Sequence, residues 1–443
     1  MENQQPQDNQ NEQNEQSGAA PIAANERFYS MDMLRGIAIF GILVMNIYAF
    51  AMPFSAYTNP LIMGGTDPLN LGTWFFTHVI FDQKFLAIFS MLYGAGMIMM
   101  LDRAVIRGAK AGGLFYRRSF WLLLFGMIHG YFIWFGDILF GYAVSGMIVF
   151  LLRNKKAKTL IISGVIFLLI GSLLTVMTGY FMTQLKSAAE EAERMIAEGQ
   201  EVPAELLELK EQWDLNRPFM APGEEELNKD IQLHKGSYSE LMEFRVPYVM
   251  MMQLSGTFFF ILWRAGGLML IGMGLMRLGV INGQRDASYY RKMMLYCYSF
   301  GLPLLIYSSY DLYQHDFDNL YYFGMGMMPN YWGSVLFALG HIALVNYLFK
   351  TGALSGLLER FSHVGRMAFT NYLMQSVILT TVFYGYGFNL YTEVPRFAQM
   401  GFVLAVILLQ LFYSKWWLER YRFGPAEWLW RSLTYWKKQP FKQ

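Results

Sequence analysis

Long apolar stretches separated by short polar and basic segments occupy the chain from about residue 34 to residue 417. A helix that crosses about 30 Å of hydrocarbon needs about 20 mostly apolar residues. The pattern therefore predicts an all-α, polytopic membrane bundle of about ten transmembrane helices. The predicted spans are residues 34–54, 84–101, 119–135, 138–152, 160–182, 256–276, 293–313, 332–349, 367–386 and 397–417.

The one long polar interruption, residues 183–243, contains 15 acidic and 6 basic residues. We expect an acidic, partly helical extracytoplasmic insertion here, with a break near Pro203. The apolar stretch that follows, residues 244–280, is too long for one span. Pro247 and Arg264 indicate an interfacial helix that leads into the sixth span.

Lysine and arginine collect in the segments after spans two, four, six, eight and ten. Because cytoplasmic loops carry the excess of basic residues, the pattern places both termini in the cytoplasm. The predicted organisation is a disordered polar tail (1–26), helices 1–5 (27–182), the insertion (183–243), helices 6–10 (244–418), and a cytoplasmic interfacial helix and tail (419–443).

Composition agrees with a membrane protein, since 54% of the residues are apolar and only 15% are charged, against about 25% charged in soluble domains. A net charge of +2 gives no reason to expect a nucleic-acid partner. The single cysteine, Cys297, excludes intrachain disulfides and cysteine zinc clusters. No metal-binding or phosphate-loop motif is found, so the sequence predicts no metal site.

Charged residues and histidines inside spans are costly and usually face a cavity or a partner. Asp32 and Arg35 share one helix face at the start of span one. They are candidates for holding an anion or a cofactor, because the guanidinium fork binds phosphate or carboxylate. A helix-end ion pair that serves packing is the alternative.

A second candidate set lies at the outer ends of spans two to four. His129 and Asp137 are separated by a very short turn, and a histidine beside a carboxylate suits a general base with its orienting partner. Asp82, as a further catalytic candidate, with Lys84 and His78 as binding candidates, is expected at the same depth. The structural alternatives are a histidine bonded to a carbonyl and Asp137 as a helix N-cap.

Three more polar residues within spans are binding candidates. Arg264 needs a counter-charge, a water-filled cavity or an interfacial position. Asn371 and Gln375 share a helix face, where they either line a substrate cavity or form hydrogen bonds between helices. The pattern leaves both alternatives open.

Five segments carry distinctive motifs: 32–46 (Asp-Met-Leu-Arg-Gly to Asn46), 84–96, 128–139, 365–373 and 424–431. These segments resemble the YeiB-like family of bacterial inner-membrane proteins, a family of unknown function. The resemblance runs in order along nearly the whole chain and implies a multi-pass protein of the inner membrane.

More distantly, Asp32-x-x-Arg35-Gly36 is similar to the start of transmembrane acyltransferases, including the sugar O-acetyltransferases and the heparan-glucosaminide N-acetyltransferase group. The former often carry a histidine fourteen residues after the aspartate, whereas this chain has Asn46, as the latter group does. The resemblance implies an acyl-CoA donor and makes Asn46 a binding candidate.

Two main function hypotheses follow. In the first, the protein transfers an acyl group from a cytoplasmic thioester donor to an acceptor at the outer face, with His129 as the base. In the second, it is a transporter or binds a small molecule or lipid without covalent chemistry. A scaffold that docks a partner through residues 183–243 is a third. Membrane lipids and a lipid or sugar substrate are the expected partners, and the sequence leaves a homodimer open.

Overall fold

The computed structural model describes residues 29–106 and 111–443, and helices make up most of this part of the chain. The predicted tail, residues 1–26, lies outside the described residues, as do Arg107 and Lys110 of the first basic loop. The main helices are α1 (Tyr29–Ala51), α2 (Pro68–Ile80), α3 (Lys84–Ile106), α4 (Ala111–Ile128), α5 (Leu139–Val149), α6 (Ala157–Ala197), α7 (Ala204–Met220), α8 (Glu224–Lys235), α9 (Tyr238–Met251), α10 (Leu262–Arg277), α11 (Ala287–Gln314), α12 (Met328–Thr351), α13 (Ser355–Arg366), α14 (Ala368–Phe383), α15 (Arg396–Leu418) and α16 (Pro425–Tyr435).

Among the described residues, six helical segments are long and apolar enough to cross a membrane. A helix also covers each of the four other predicted spans, but α4, α5 and α14 have only 18, 11 and 16 residues, and α11 is rich in tyrosine and serine. A membrane protein is therefore supported, and the number of ten spans stays a prediction. The six segments are Tyr29–Ala51, Pro68–Arg103, Ala157–Ala197, Tyr238–Arg277, Met328–Thr351 and Arg396–Leu418.

Local sequence signals set several helix boundaries. Asp67 caps α2 by accepting hydrogen bonds from the amides of Leu69 and Asn70, and a proline follows it at the first helical position. Asp286 caps α11 in the same way through the amide of Tyr289. Gly352 ends α12 in the left-handed conformation (φ 73°), which glycine adopts without steric cost.

Helix α10 lies at the centre of the bundle and packs against α3 and α6 through small residues. A Cβ added to Gly94 of α3 would lie 2.0 Å from the Met269 carbonyl oxygen of α10. A Cβ on Gly272 of α10 would lie 2.0 Å from the Met91 oxygen of α3. Such small residues allow backbones to approach closely, as is common in membrane bundles.

The apolar stretch after the polar segment differs from the expected layout, whereas the polar segment is helical with a break before Ala204, as expected. The helical run Tyr238–Arg277 is continuous, with π-helical geometry over Met252–Ile261, so Pro247 lies inside α9 and does not separate two helices. The polar segment contains the end of the 41-residue α6, then α7 and α8, and α7 begins directly after Pro203. On which side of the membrane this segment lies stays a prediction.

Candidate functional site

His129 lies between a carboxylate and a hydroxyl in the interior of the bundle. Its Nδ1 is 2.9 Å from Asp137 Oδ1, and its Nε2 is 2.9 Å from Ser376 Oγ. His129 and Ser376 are each 1% exposed. This order of hydroxyl, imidazole and carboxylate allows the base to accept the hydroxyl proton while the carboxylate orients the ring. We call these three residues the relay.

The end of α4 explains how His129 meets Asp137. The helix passes into a π-helical turn at His129–Ile133, which the Trp134 amide closes by donating to the His129 carbonyl over 2.9 Å. Gly126 lies one turn earlier, and a Cβ there would come within 2.8 Å of Asp137 Oδ2. The π-turn and the missing side chain together bring the start of α5 against α4.

Asp137 has two roles at once. Its Oδ1 contacts the imidazole, and its Oδ2 accepts a hydrogen bond of 2.9 Å from the Phe140 amide at the start of α5. Asp137 therefore both orients the base and bonds the first turn of α5, although the N-cap residue of that helix is Ile138.

A cavity of about 270 Å³ lies beside the relay. Its walls are mostly apolar, and Tyr372, which lines it, has its ring centroid 5.0 Å from that of His129. Five arginines from five helical segments also line the cavity: Arg35, Arg103, Arg118, Arg366 and Arg431. A cavity with apolar walls and several guanidinium groups suits an amphiphile that carries phosphates.

The C-terminal helix α16 forms one wall of the arginine-rich part of the cavity. The Arg118 guanidinium lies 3.7 Å from the ring centroid of Trp430, whose indole donates to the Arg118 carbonyl. Glu427 accepts hydrogen bonds from the amides of Phe369 and Thr370 and so caps α14. Burial raises the pKa of the Glu427 carboxyl.

The predicted pair at the head of α1 is part of this cavity. Arg35 donates to Asp32 over 2.6 Å, and both residues line the cavity. Ile39 and Ile42 continue the same lined face of the helix, and Asn46 follows one turn later. Asn46 is half-buried and lies beyond the lined part of α1.

Asp82, Lys84 and His78 form a second buried network, centred on Asn330 of α12. Lys84 Nζ donates to Asn330 Oδ1 and to the His78 carbonyl, each over 2.7 Å. Asn330 Nδ2 donates to Asp82 Oδ2 over 2.6 Å, and His78 Nδ1 lies 3.4 Å from the same oxygen. Their partners in the structure are thus one another, Asn330 and Tyr57, rather than His129 and Asp137, and their functional roles stay predictions.

Three binding candidates contact neighbouring helices. Arg264 donates to the Tyr331 carbonyl and to the Ser334 hydroxyl of α12, at 3.1 and 2.7 Å. Asn371 Nδ2 donates to Ser414 Oγ, and Gln375 Nε2 donates to Gln410 Oε1 over 2.9 Å. These contacts favour hydrogen bonding between α14 and α15 over cavity lining for Asn371 and Gln375.

Sequence reasoning missed Ser376, Tyr372 and four of the five cavity arginines. Ser376 is a small hydroxyl residue inside an apolar helix, and such residues usually bond their own backbone. No motif or spacing connects it to His129, which is 247 positions away. In the sequence, these four arginines indicate topology, and two of them, Arg366 and Arg431, also lie in the segments that resemble the YeiB-like family, but none is predicted to bind a ligand. Among the described residues, no group of three His, Cys, Asp or Glu side chains is placed to hold a metal ion.

Comparison with known proteins places the chain in a family. It is 31% identical to an uncharacterized protein, YeiB, of Escherichia coli (strain K12), over 92% of this chain and 96% of the relative. The chain belongs to the YeiB-like family. This YeiB-like protein is also 30% identical to the uncharacterized protein YxaH of Bacillus subtilis (strain 168), over 96% and 98% of the two chains. Residues 275–437 match the model of a protein family of unknown function (DUF418), and no solved structure matches significantly.

Proposed function

We propose that this YeiB-like protein is a membrane acyltransferase that takes an acyl group from a thioester donor in the arginine-lined cavity. The observation that carries the proposal is the position of this cavity beside the Ser376–His129–Asp137 relay. An acyl-CoA carries both phosphates and an apolar chain, which match the arginines and the apolar walls. The distant likeness of the first span to transmembrane acyltransferases points to the same reaction.

Five guanidinium groups line the cavity against two carboxylates, Asp32 and Glu427, and this excess of positive charge favours a ligand with several negative charges. Arg35, Arg118 and Arg366 come from α1, α4 and α13, so the cavity is charged on several sides. The segments that carry them are those that the basic-residue pattern places at the cytoplasmic face. The donor therefore enters from the cytoplasm in this proposal, with its phosphates on the arginines and its acyl chain toward Tyr372.

The relay supplies the chemistry. Ser376 Oγ attacks the thioester carbonyl carbon while His129 Nε2 takes the hydroxyl proton. The C–S bond breaks, and the thiolate leaves with the proton from His129. In the second step, an acceptor hydroxyl or amine attacks the ester on Ser376, His129 takes its proton, and Ser376 Oγ receives that proton as the C–O bond breaks.

Tyr372 stands between the cavity and the relay. It lies one helical turn before Ser376 on α14, and its hydroxyl is 3.4 Å from the Gly136 carbonyl oxygen. At that distance the hydrogen bond is weak. In this proposal, a rotation of the Tyr372 side chain joins the cavity to Ser376 and gives up the contacts of its hydroxyl with the backbone of Gly136 and Ile138.

The test is covalent labelling of the purified protein in lipid nanodiscs with acetyl-CoA labelled in the acetyl group. We expect a label that is removed by hydroxylamine and maps to Ser376, and that is absent from Ser376→Ala. Ser362→Ala is the matched control, because Ser362 is also 1% exposed but, among the described residues, bonds only the Glu359 carbonyl of its own helix.

The outcomes separate the alternatives. Turnover of acetyl-CoA without a label on Ser376 would show direct transfer with His129 as base and would remove the serine ester from the mechanism. Thioester binding with neither label nor turnover would favour a binding or transport function without covalent chemistry.

A further inference from the structure

We propose that this protein has a second binding site, for an oxyanion such as a carboxylate or a phosphate, at the end of α14 remote from the arginine-lined cavity. Three side chains form it: Arg245 of α9, Trp134 after the π-turn, and Tyr384 at the end of α14. All three are buried, and each has a donor without a partner.

Arg245 is the central residue of the proposed site. It is only 2% exposed, and neither Nη1 nor Nη2 has a hydrogen-bond partner among the described residues. Its guanidinium carbon lies 5.8 Å from the ring centroid of Tyr238 and 6.0 Å from that of Tyr384. Aromatic faces offset only part of the cost of burying a charge. A buried guanidinium with two unused donor groups therefore calls for an anion.

Two further donors lie at the same place. The Tyr384 side chain lies beside both Arg245 and Trp134. Tyr384 Oη and Trp134 Nε1 are buried without a hydrogen bond in the part of the chain that the structure describes. Tyr384 Oη can itself accept from the Trp134 indole beside it. A guanidinium only donates, so Arg245 Nη1 and Nη2 still need an acceptor. An oxyanion supplies several acceptor positions at once.

The neighbouring carboxylate is already occupied. Asp230 is the acidic group near Tyr384. Its Oδ1 lies 2.8 Å from His234 Nδ1, and its Oδ2 accepts from the Tyr391 hydroxyl over 3.3 Å. Asp230 therefore contacts residues of α8 and of the loop after α14. Among the described residues, it forms no ion pair with Arg245.

The site adjoins the relay on the opposite side from the cavity. Along α14, Tyr372 lines the cavity, Ser376 contacts His129, and Tyr384 lies at the proposed site. At a rise of 1.5 Å per residue, Tyr384 is about 18 Å from Tyr372 along the helix axis. The Trp134 amide also bonds the His129 carbonyl. We assign the anion bound here as the acyl acceptor, and this assignment rests on the proposed function. Anion binding at the site does not depend on the proposed function.

The test measures thermal unfolding of the purified full chain in detergent with sodium phosphate or sodium propionate. Each is used at about 20 mM against sodium chloride of equal ionic strength. We expect at least one of them to raise the wild-type melting temperature by roughly 2 °C or more. A response to propionate identifies a carboxylated ligand, and a response to phosphate alone identifies a phosphorylated one.

The variants make the result specific. Arg245→Met is expected to melt no lower than the wild type in chloride, because it removes an uncompensated charge, and to lose the anion response. Arg291→Met, at an exposed arginine of α11, is the matched control and should keep it. Tyr384→Phe keeps the ring and removes one donor, so the apparent affinity should fall roughly threefold to tenfold.

Two results would overturn the proposal. One is a wild-type protein that responds to neither anion beyond the chloride control. The other is an anion response of equal size in Arg245→Met, which would show only the general stabilisation that phosphate gives to proteins. Neither result depends on acyl transfer, so the outcome is separate from that of the labelling experiment.

Discussion

The imidazole of His129 lies 2.9 Å from the hydroxyl oxygen of Ser376, although 247 positions separate the two residues in the chain. This contact joins the end of α4 to the middle of α14. It also converts a histidine–carboxylate pair into an array of three groups, in which the imidazole has a partner on each ring nitrogen. The arrangement gives the imidazole a defined orientation and a hydroxyl to activate.

Loss of the relay carboxylate should separate chemistry from binding. In Asp137→Asn, the imidazole loses its charged partner, and we expect the acyl-transfer rate to fall by about 100-fold or more. Acetyl-CoA binding should be unchanged, because Asp137 does not line the cavity. Asp286→Asn is the control, since Asp286 also bonds the first turn of a helix but contacts no histidine among the residues that the structure describes. An equal loss of rate in both variants would contradict a specific role.

Removal of one cavity arginine should weaken donor binding. Arg35→Gln removes a charged hydrogen-bond donor, which is worth about 1.5–3 kcal/mol, so the dissociation constant for acetyl-CoA should rise about 10-fold to 100-fold. Equilibrium binding in nanodiscs measures this. Arg291→Gln removes the same charge from an exposed site on α11 and should have little effect. Unchanged affinity in Arg35→Gln would place the donor elsewhere.

The second buried network should be important for stability. In Asn330→Leu, Lys84 and Asp82 each lose their hydrogen bond to the Asn330 side chain. Because both groups carry charge, we expect a loss of about 3 kcal/mol or more in unfolding free energy, measured by denaturation in detergent. Asn346→Leu on the same helix is the control, since within the described part of the chain Asn346 bonds only the Ile342 carbonyl. Equal losses of unfolding free energy in the two variants would show that Lys84 and Asp82 do not need Asn330 between them.

The contact between α1 and α13 should set the shape of the cavity. A Cβ on Gly365 would lie 1.8 Å from the Asp32 carbonyl oxygen. Gly365→Ala must therefore push the two helices apart, so we expect a lower melting temperature and weaker acetyl-CoA binding.

Gly356→Ala on the same helix has open space around it and provides the control. It should be neutral or stabilise the protein slightly, because alanine favours the helix by about 0.5–1 kcal/mol. Normal binding and stability in Gly365→Ala would show that the close approach of the two helices is not needed.

Much of the architecture follows from local pattern. Apolar length predicted a helix over every proposed span, and the caps at Asp67 and Asp286 set the starts of α2 and α11 from neighbouring residues alone. The pairing of His129 with Asp137 was also predictable, because a short turn separates them and such a turn holds the ends of its flanking helices together. Family membership followed from residues that match in order along the chain.

What the sequence alone could not decide is which distant elements meet. Topology places His78, Asp82 and Lys84 at the depth of His129, but their contacts depend on how α2 and α3 pack, and Asn330 of α12 is at the centre of their network. Ser376 and the five cavity arginines come together only through helix packing. Hydrophobic periodicity determines which segments become helices and which of their faces are apolar. It does not distinguish one apolar face from another. The partner of each face depends on close-packed shape and on satisfying every buried polar group, and both exist only in the tertiary structure.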